Sequence, residues 1–241
     1  MNRLETIRKL EEQHLSIFTT QQFTTLSGSN VKTAAVALHR YVHDKVLVRV
    51  TRGRFCLPGT PVLSVASNIY PPAYVSLWSA FEYYRATTQS PRVIDVVTSR
   101  HTGRLEVSLE HGRYNIRFIK VKPSFIYGLR KVMIDGKVAF IAEKERAIID
   151  GLLFPGRVPM DEIVGMLMTQ IEPDRVIQYA KWTKRQSVMK RTGFLLGLTG
   201  YECKPEDFGW LSDTYILLDP AQPRRGKYDH TWRITMNTVI E

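Results

Sequence analysis

The sequence predicts an α+β protein in which an N-terminal winged helix-turn-helix precedes a larger mixed domain. Three observations support this prediction. Amphipathic helical segments separated by a glycine lead to a third helix, a short hairpin pattern follows it, and β-branched strand segments later give way to helical ones. We expect the larger domain to contain an antiparallel sheet and several C-terminal helices. The predicted domains are residues 1–60 and residues 69–241.

The composition favours a polyanionic partner. The 241 residues include 34 Lys and Arg against 23 Asp and Glu, which gives a net charge of +11. Cys56 and Cys203 lie far apart and have neither metal-ligand spacing nor the pattern of a disulfide framework, so a reducing, cytoplasmic location is expected. The N-terminus lacks an apolar signal region, and no apolar stretch long enough to span a membrane is evident.

Local signals place the helices of the N-terminal module. An amphipathic helix is expected at about residues 3–13. Thr19 is the predicted N-cap of a helix over residues 20–27, with Gln22 completing a capping box and Gly28 ending the helix. Ser29 or Asn30 then caps a third helix over residues 31–44.

The third helix has two faces at the helical period of 3.6 residues. The side expected to pack inward comprises Val31, Ala34, Ala35, Leu38, Tyr41 and Val42. The opposite side comprises Lys32, Thr33, Val36, Arg40 and His43. Strands at residues 46–50 and 54–57, joined through Thr51-Arg52-Gly53, complete the winged order of elements.

The outward side of the third helix carries groups that recognise double-stranded DNA. Arginine forks onto guanine, lysine pairs with phosphate, and the methyl groups of Thr and Val contact thymine. Residues 1–60 hold nine Lys and Arg against four Asp and Glu, a net charge of +5. Winged helices also serve as protein-interaction modules, which is the alternative here. The candidate DNA-binding residues are Thr19, Thr20, Gln21, Ser29, Asn30, Lys32, Thr33, Val36, Arg40, His43, Arg52 and Arg54.

The second domain is predicted from strand and helix periodicity. A helix over residues 73–85 carries an aromatic stripe that belongs to the core, and the first turn of a later helix at Glu143–Arg146 is expected to be solvated. Asp135-Gly136 predicts a hairpin turn, and a change in the phase of polar residues predicts a bulge or a bend near Phe118-Ile119. The predicted strands are 93–98, 105–109, 114–121, 125–127, 131–134, 138–141, 215–218 and 231–235, and the predicted helices are 143–153, 160–170, 173–182 and 184–198.

Four segments resemble the AbiEi antitoxin family. They are the Arg52–Phe55 wing, Pro72–Ala80, Pro91–Ile94 and Ala142–Asp150, and they are collinear with that family over about residues 4 to 170. The resemblance implies an antitoxin of a type IV toxin–antitoxin system, with a role in phage defence. It implies that the N-terminal module represses its own operon at inverted repeats. It also implies that the C-terminal domain opposes a nucleotidyltransferase-like toxin, without the need for a stable complex.

Further basic residues predict a second cationic surface in the larger domain. Its functional interpretation is a surface for nucleic acid or for a nucleotidyltransferase substrate. The alternative is solubilising charge scattered over the surface. The residues are Arg113, Arg117, Lys120, Lys122, Lys181, Lys184, Arg185, Lys190 and Arg191.

Signatures of enzymes are missing from the sequence. It contains no Walker A motif, no dinucleotide fingerprint, no nucleophile elbow and no His-Glu-x-x-His motif, and its six histidines have no ligand spacing. We therefore expect no catalytic residues, no metal and no cofactor. Two alternatives stay open: a winged-helix-guided nuclease or transferase, with Asp95 and Asp135-Gly136-Lys137 as nuclease residues, and a regulator that senses a ligand.

Overall fold

The N-terminal segment has the strand order of a winged helix-turn-helix. A computed structural model describes residues 3–89 and 91–240 of the chain. The first elements are α1 (Arg3–Glu12), β1 (Phe18–Thr19), α2 (Thr20–Ser27), α3 (Val31–His43), β2 (Val48–Thr51) and β3 (Arg54–Cys56). The three strands pair antiparallel in the order β1–β3–β2. The prediction of a winged helix followed by a larger α+β part is confirmed.

Aromatic side chains form the core that fixes α3 in this module. The ring of Phe18 lies 6.3 Å from that of Phe23 and 6.0 Å from that of Phe55. Tyr41 of α3 meets Phe23 edge to face at 6.3 Å, and Leu38 is 2% exposed beside them. Burial of each large apolar side chain contributes about 1.5–3 kcal/mol. The inward side of α3 is therefore held firmly, which determines the side that faces outward.

The larger part of the chain alternates strands and helices and then becomes mainly helical. Its elements are α4 (Val62–Asn68), β4 (Ala73–Val75), α5 (Leu77–Tyr83), β5 (Val93–Thr98), β6 (Gly103–Leu109), β7 (Gly112–Lys120), β8 (Leu129–Ile134), β9 (Lys137–Ala142), α6 (Lys144–Leu153), α7 (Met160–Leu167), α8 (Pro173–Trp182), α9 (Gln186–Leu198), β10 (Ile216–Leu217), β11 (Lys227–Asp229) and β12 (Ile234–Met236).

The six strands β4–β9 form a mixed sheet in the order β6–β7–β5–β4–β9–β8. The β6–β7 and β4–β5 pairs are antiparallel, whereas β5 pairs parallel with β7 and β4 pairs parallel with β9. The sheet is thus mixed rather than wholly antiparallel. Strand β6 lies at its edge, and β7 returns antiparallel to β6 and so runs beside β5 in the parallel direction. The Asp135-Gly136 turn between β8 and β9 has positive φ at both residues, 46° and 73°, as a tight hairpin requires.

The chain divides into two compact units. The first unit comprises Met1–Val75, Arg92–Ile126 and Arg130–Ile141, and so contains the winged helix, α4 and nearly all of the six-stranded sheet. The second unit comprises Ser76–Pro91, Tyr127–Leu129 and Ala142–Glu241, and contains α5–α9 and a small sheet in the order β10–β12–β11. The domain boundary between residues 60 and 69 stays a prediction.

Buried polar residues organise the second unit around α6. Arg146 and Asp150 are fully buried, with Nη2 of Arg146 2.6 Å from Oδ1 of Asp150. The guanidinium of Arg146 lies 4.1 Å from the ring centre of Tyr127, and the Ser76 hydroxyl donates to Oδ2 of Asp150 at 2.7 Å. Glu145 is 6% exposed. The prediction that the first turn of this helix is solvated is wrong for Glu145 and Arg146, since both side chains are buried.

Several local predictions in the larger part are also wrong. Residues 73–75 form strand β4 inside the sheet instead of starting a helix, because Tyr74 and its neighbours pair with Val96–Thr98 of β5. The strand predicted at residues 125–127 does not form: residues 123–125 form a 3-10 turn, and residues 126 and 127 belong to no strand. Pairing along β7 is continuous, so no bulge occurs at Phe118: the polar Lys120 simply lies at the end of the strand, past the core. Helix α4 was not predicted.

The aromatic stripe does belong to the core, as predicted. Tyr74, Leu77 and Phe81 are 0% exposed. Trp78 and Tyr84 are half-buried. Among the residues described, no helix combines the length and the apolar character that crossing a membrane requires.

Candidate nucleic-acid interface

Two capping interactions fix the approach to α3. The backbone N–H of Gln22 donates to the Thr19 hydroxyl at 3.2 Å, and the Thr19 N–H donates to Oε1 of Gln22 at 2.8 Å, so the predicted capping box is formed. Gly28 ends α2 with a φ of 62°. The N–H of Thr33 donates to Oδ1 of Asn30 at 2.9 Å, which makes Asn30 the N-cap of α3. The start of α3 is therefore defined by local hydrogen bonds.

The predicted outward side of α3 is exposed over its whole length. Val36 is 71% exposed, and the neighbouring polar and basic positions are exposed as well. They are Lys32, Thr33, Arg40 and His43. The Arg40 guanidinium lies 5.6 Å from the ring centre of Tyr41.

The predicted inward side of α3 is narrower than expected. Ala34, Leu38 and Tyr41 are buried. Val31, which is 65% exposed, and Ala35 are not, so placing these two in the packed face is wrong. The packed face of α3 is a narrow stripe of Ala34, Leu38 and Tyr41, with Ala37 and Val42 partly buried beside it. The solvent-facing arc of α3 is accordingly wider and includes apolar groups that can contact thymine methyls.

The predicted residues at the helix starts have different roles in the structure. The side chains of Thr19 and Asn30 act as caps, and the Ser29 hydroxyl lies 2.7 Å from that of Ser27. Gln21 is exposed on the first turn of α2, and Thr20 donates its N–H to the carbonyl of Gly53 at 3.2 Å. Gln21 and Asn30 are exposed, whereas Thr19, Thr20 and Ser29 are half-buried.

The wing is short and lies against α2 and α3. Gly53 has a φ of 71°, a left-handed conformation that glycine adopts without steric cost. Arg52 is exposed at the turn. Arg54 is half-buried, and its guanidinium lies 5.3 Å from the ring centre of Tyr70. The two predicted wing arginines therefore differ, since Arg52 faces solvent and Arg54 packs on an aromatic ring.

A cleft of about 320 Å³ between α3 and the wing contains two further candidate DNA contacts, which were not predicted from the sequence. His39 of α3 and Arg49 of β2 line it together with Arg52. Both are exposed. His39 lies three residues after Val36 and seven after Lys32, so helical spacing alone places it beside the predicted face. The remaining lining residues are Thr20, Ala35, Leu38, Val42, Gly53 and Phe55.

This arrangement is suited to a duplex groove. A single helix fits the major groove of B-form DNA, and its exposed side chains can then reach base edges. Arginines beside the wing are placed for phosphates or for the minor groove. Residues 5–58 match the AbiEi antitoxin family of transcriptional regulators. The family resemblance is thus confirmed over the winged helix that carries the candidate face.

One solved structure resembles the chain over nearly its full length. The RV2827C protein from Mycobacterium tuberculosis has 10% sequence identity to it and a TM-score of 0.58, and the match covers 96% of this chain and 89% of that one. At this identity the likeness concerns the fold alone. No curated protein sequence matches the chain significantly.

The predicted second cationic surface does not form as proposed. Lys190 and Arg191 are 1% and 6% exposed, so placing them on a surface is wrong. Lys190 donates to the carbonyl oxygens of Ser212 and Thr214 at 2.6 and 2.7 Å, and Arg191 donates to that of Leu217 at 3.0 Å. Burial lowers the pKa of both, that of Arg191 to about 10. Both cations anchor the C-terminal segment.

The other members of that set belong to two different compact units. In the first unit, Arg117 is half-buried and ion-paired with Asp95. The exposed members in the first unit are Arg113, Lys120 and Lys122, and those in the second unit are Lys181, Lys184 and Arg185.

The nuclease alternative uses Asp95, but this residue is paired with Arg117. Its carboxylate accepts two hydrogen bonds from Arg117, at 2.5 and 2.8 Å, and is 1% exposed as a residue. Asp135 forms the hairpin turn. Across residues 3–89 and 91–240, no group of three or more His, Cys, Asp or Glu is placed to hold a metal ion.

Proposed function

We propose that the protein is a DNA-binding transcriptional autorepressor and the antitoxin of a type IV toxin–antitoxin system. The observation that carries this proposal is the exposed polar and cationic side of α3, within a winged helix that matches a family of antitoxin transcriptional regulators. Repression follows if the protein occupies its own promoter. The expected target is double-stranded operator DNA with inverted repeats, where each half-site takes one winged helix.

In this proposal α3 enters the major groove. Arg40 reads a guanine, Lys32 contacts a phosphate, and Val36 contacts a thymine methyl. Arg49 and Arg52 then follow the flanking backbone from the cleft beside α3. The net charge of +5 over residues 1–60 adds sequence-independent affinity that falls as salt rises.

The antitoxin part of the proposal concerns a partner protein and is supported by the match to a family of antitoxins. The functional partner is a nucleotidyltransferase-like toxin, opposed by the larger domain without a stable complex. The proposed setting is the cytoplasm, in phage defence. We further propose that the chain is not an enzyme, which is supported by the pairing of Asp95 with Arg117 and by the role of Asp135 in a turn.

A mobility-shift assay on the promoter upstream of the gene tests the DNA-binding role. Arg40→Ala in the full-length chain is expected to weaken binding about tenfold while the thermal unfolding temperature stays unchanged. Arg157→Ala, which removes an exposed arginine in the second unit, is the matched control and should leave affinity unchanged. Equal affinity of the Arg40 variant and the parent protein would reject α3 as the reading helix.

A cellular assay separates the two activities. A promoter fusion reports repression, and co-expression with a nucleotidyltransferase-like toxin reports neutralisation. The Arg40→Ala variant should lose repression and retain neutralisation. Loss of both activities in a folded variant would contradict the assignment of the two roles to different parts of the chain.

A further inference from the structure

Two exposed tryptophans lie beside the turn between α8 and α9 in the second unit. Trp182, the last residue of α8, is 49% exposed, and Trp210 is 79% exposed. Gln186, four residues after Trp182 and the first residue of α9, bonds to the backbone of the Trp210 segment: its side-chain amide donates to the Trp210 carbonyl at 3.2 Å and accepts from the Ser212 N–H at 2.8 Å. Tryptophan is among the costliest side chains to expose, and such exposure indicates a binding surface.

Trp182 is held in place by other rings. Its ring centre lies 5.0 Å from that of Tyr127, edge to face, and 5.4 Å from that of Tyr179. The Tyr127 hydroxyl donates to the Tyr179 carbonyl at 3.1 Å, which joins these two residues in turn. About half of the Trp182 ring still faces solvent. A ring that is already ordered loses little conformational entropy when a flat ligand stacks on it.

Cationic residues are neighbours of Trp182 in the sequence. Lys184 and Arg185 are exposed in the turn itself, where Lys184 has a φ of 54° that reverses the chain. Lys181 is exposed as well, and its Nζ donates to the Asp207 carbonyl at 2.8 Å. The first turn of α9 contains no acidic residue, so its N-terminal backbone amides add to the positive potential.

Two of the three acidic groups nearby are already hydrogen-bonded. Glu206 and Asp207 are exposed on the segment that follows Lys204. The Asp207 carboxylate accepts the N–H of Lys204 at 2.7 Å and so belongs to a local turn. Asp213, which follows Ser212, is exposed too and accepts a hydrogen bond from Arg233 at 3.3 Å. Three exposed cations on α8 and in its turn therefore stand against three carboxylates, two of which are already hydrogen-bonded.

We propose that this surface binds unpaired nucleotides, with bases stacked on Trp182 and Trp210 and phosphates held by Lys184 and Arg185. Exposed aromatic rings interleaved with basic side chains are the arrangement by which proteins bind single strands without reading sequence. A protein partner fits less well, because lysine is depleted in the centre of protein–protein interfaces. The net charge of +11 favours the same class of ligand. This surface lies outside the winged helix and does not depend on α3.

Fluorescence anisotropy with single-stranded probes tests the proposal. The probes are an oligouridine and an oligothymidine of about twelve nucleotides, and the protein is the full chain with Arg40→Ala, which reduces the contribution of α3. Trp182→Ala and Trp210→Ala are each expected to weaken binding about tenfold, and Trp210→Phe to retain it. Lys184→Gln should reduce the slope of log affinity against log salt by about 0.7. The two probes distinguish RNA from DNA as the source of the strand.

Leu198→Ala is the matched control, since it truncates a half-exposed apolar residue at the far end of α9. The proposal is overturned if both tryptophan variants bind like the parent chain, or if Leu198→Ala weakens binding equally. It is also overturned if Trp210→Ala abolishes toxin neutralisation in cells while oligonucleotide affinity stays unchanged, because the surface would then contact a protein.

Discussion

Asp95 and Arg117 face each other across neighbouring strands and pair at two points. They are direct partners in the parallel register of β5 and β7, with Nε to Oδ1 at 2.5 Å and Nη2 to Oδ2 at 2.8 Å. The Asp95 side chain is 2% exposed and that of Arg117 is 20% exposed. A desolvated carboxylate needs this partner to stay ionised at low energetic cost. The ion pair thus links β5 to β7, and each side chain is hydrogen-bonded to the other.

Removal of Arg117 should destabilise the protein strongly. Arg117→Ala leaves the Asp95 carboxylate buried without its counter-charge, so the free energy of unfolding is expected to fall by about 3 kcal/mol in urea denaturation. Arg113→Ala removes an exposed arginine from the same strand and should change it by less than about 0.5 kcal/mol. The double variant Asp95→Leu with Arg117→Leu should lose less than Arg117→Ala alone, and a larger loss would contradict the desolvation argument.

The winged helix could be predicted because its determinants are local. The Thr19–Gln22 capping box spans three residues, and Gly28 ends α2 by its own conformational freedom. The two sides of α3 follow from its period, apart from Val31 and Ala35, which are exposed although the period places them on the packed side. Arg49 was missed because its place in the cleft depends on how β2 packs beside α3, which no spacing within one element reveals. His39 could have been found from its helical spacing to Val36 and Lys32.

The buried cations could not be predicted because their partners are distant backbone groups. Lys190 and Arg191 lie in a run of basic residues that reads as a solvated surface, yet they satisfy carbonyl oxygens more than twenty residues away, at 212–217. Carbonyl groups occur at every position, so no residue type marks them in the sequence. Glu145 and Arg146 were misassigned for a similar reason, since their burial depends on the packing of α5 and α8 around α6.

Two glycines of α9 should respond in opposite directions to alanine. A Cβ atom on Gly193 would overlap the ring of Trp232, which packs directly on the helix there. Gly193→Ala is therefore expected to lower the free energy of unfolding by about 1–3 kcal/mol. Gly197 has open space around it, so Gly197→Ala should raise stability by about 0.5–1 kcal/mol through helix propensity. Urea denaturation of both variants measures the difference, and equal effects would mean that Trp232 does not cover Gly193.

Arg49 should contribute affinity for DNA without contributing specificity. It lines the cleft beside the wing, where a cation meets the phosphate backbone and not a base edge. Arg49→Ala should weaken binding to operator and to unrelated duplex by the same factor, and should reduce the magnitude of the salt slope by about 0.9. Titrations at several salt concentrations measure both quantities. A loss confined to the operator would instead place Arg49 on a base.

Cys56 should make the protein less stable in alkali. Burial raises the pKa of its thiol from 9.0 to about 12, and a hydrogen bond with Thr60 and the charge of Lys137 offset this only in part. The unfolded chain releases the thiol proton near pH 9, whereas the folded chain keeps it until about pH 12. Between these values the folded state binds more protons, so the free energy of unfolding falls as pH rises, by about 1.4 kcal/mol per pH unit.

Cys56→Ala isolates this effect, because alanine keeps the site apolar and cannot ionise. The smaller alanine side chain lowers the free energy of unfolding by an amount that does not depend on pH. In urea denaturation, the difference in free energy of unfolding between the wild type and Cys56→Ala should therefore be constant below pH 8 and should shrink from about pH 9 upward. Cys203→Ala is the comparison: its half-buried thiol also has a raised pKa, from burial and then from Asp207, and it should show a shallower version of the same trend. If the free energy of unfolding of the wild type and of Cys56→Ala followed parallel curves from pH 8 to about 10.5, water would have to reach the Cys56 thiol. That result would contradict the burial of Cys56 at the end of β3.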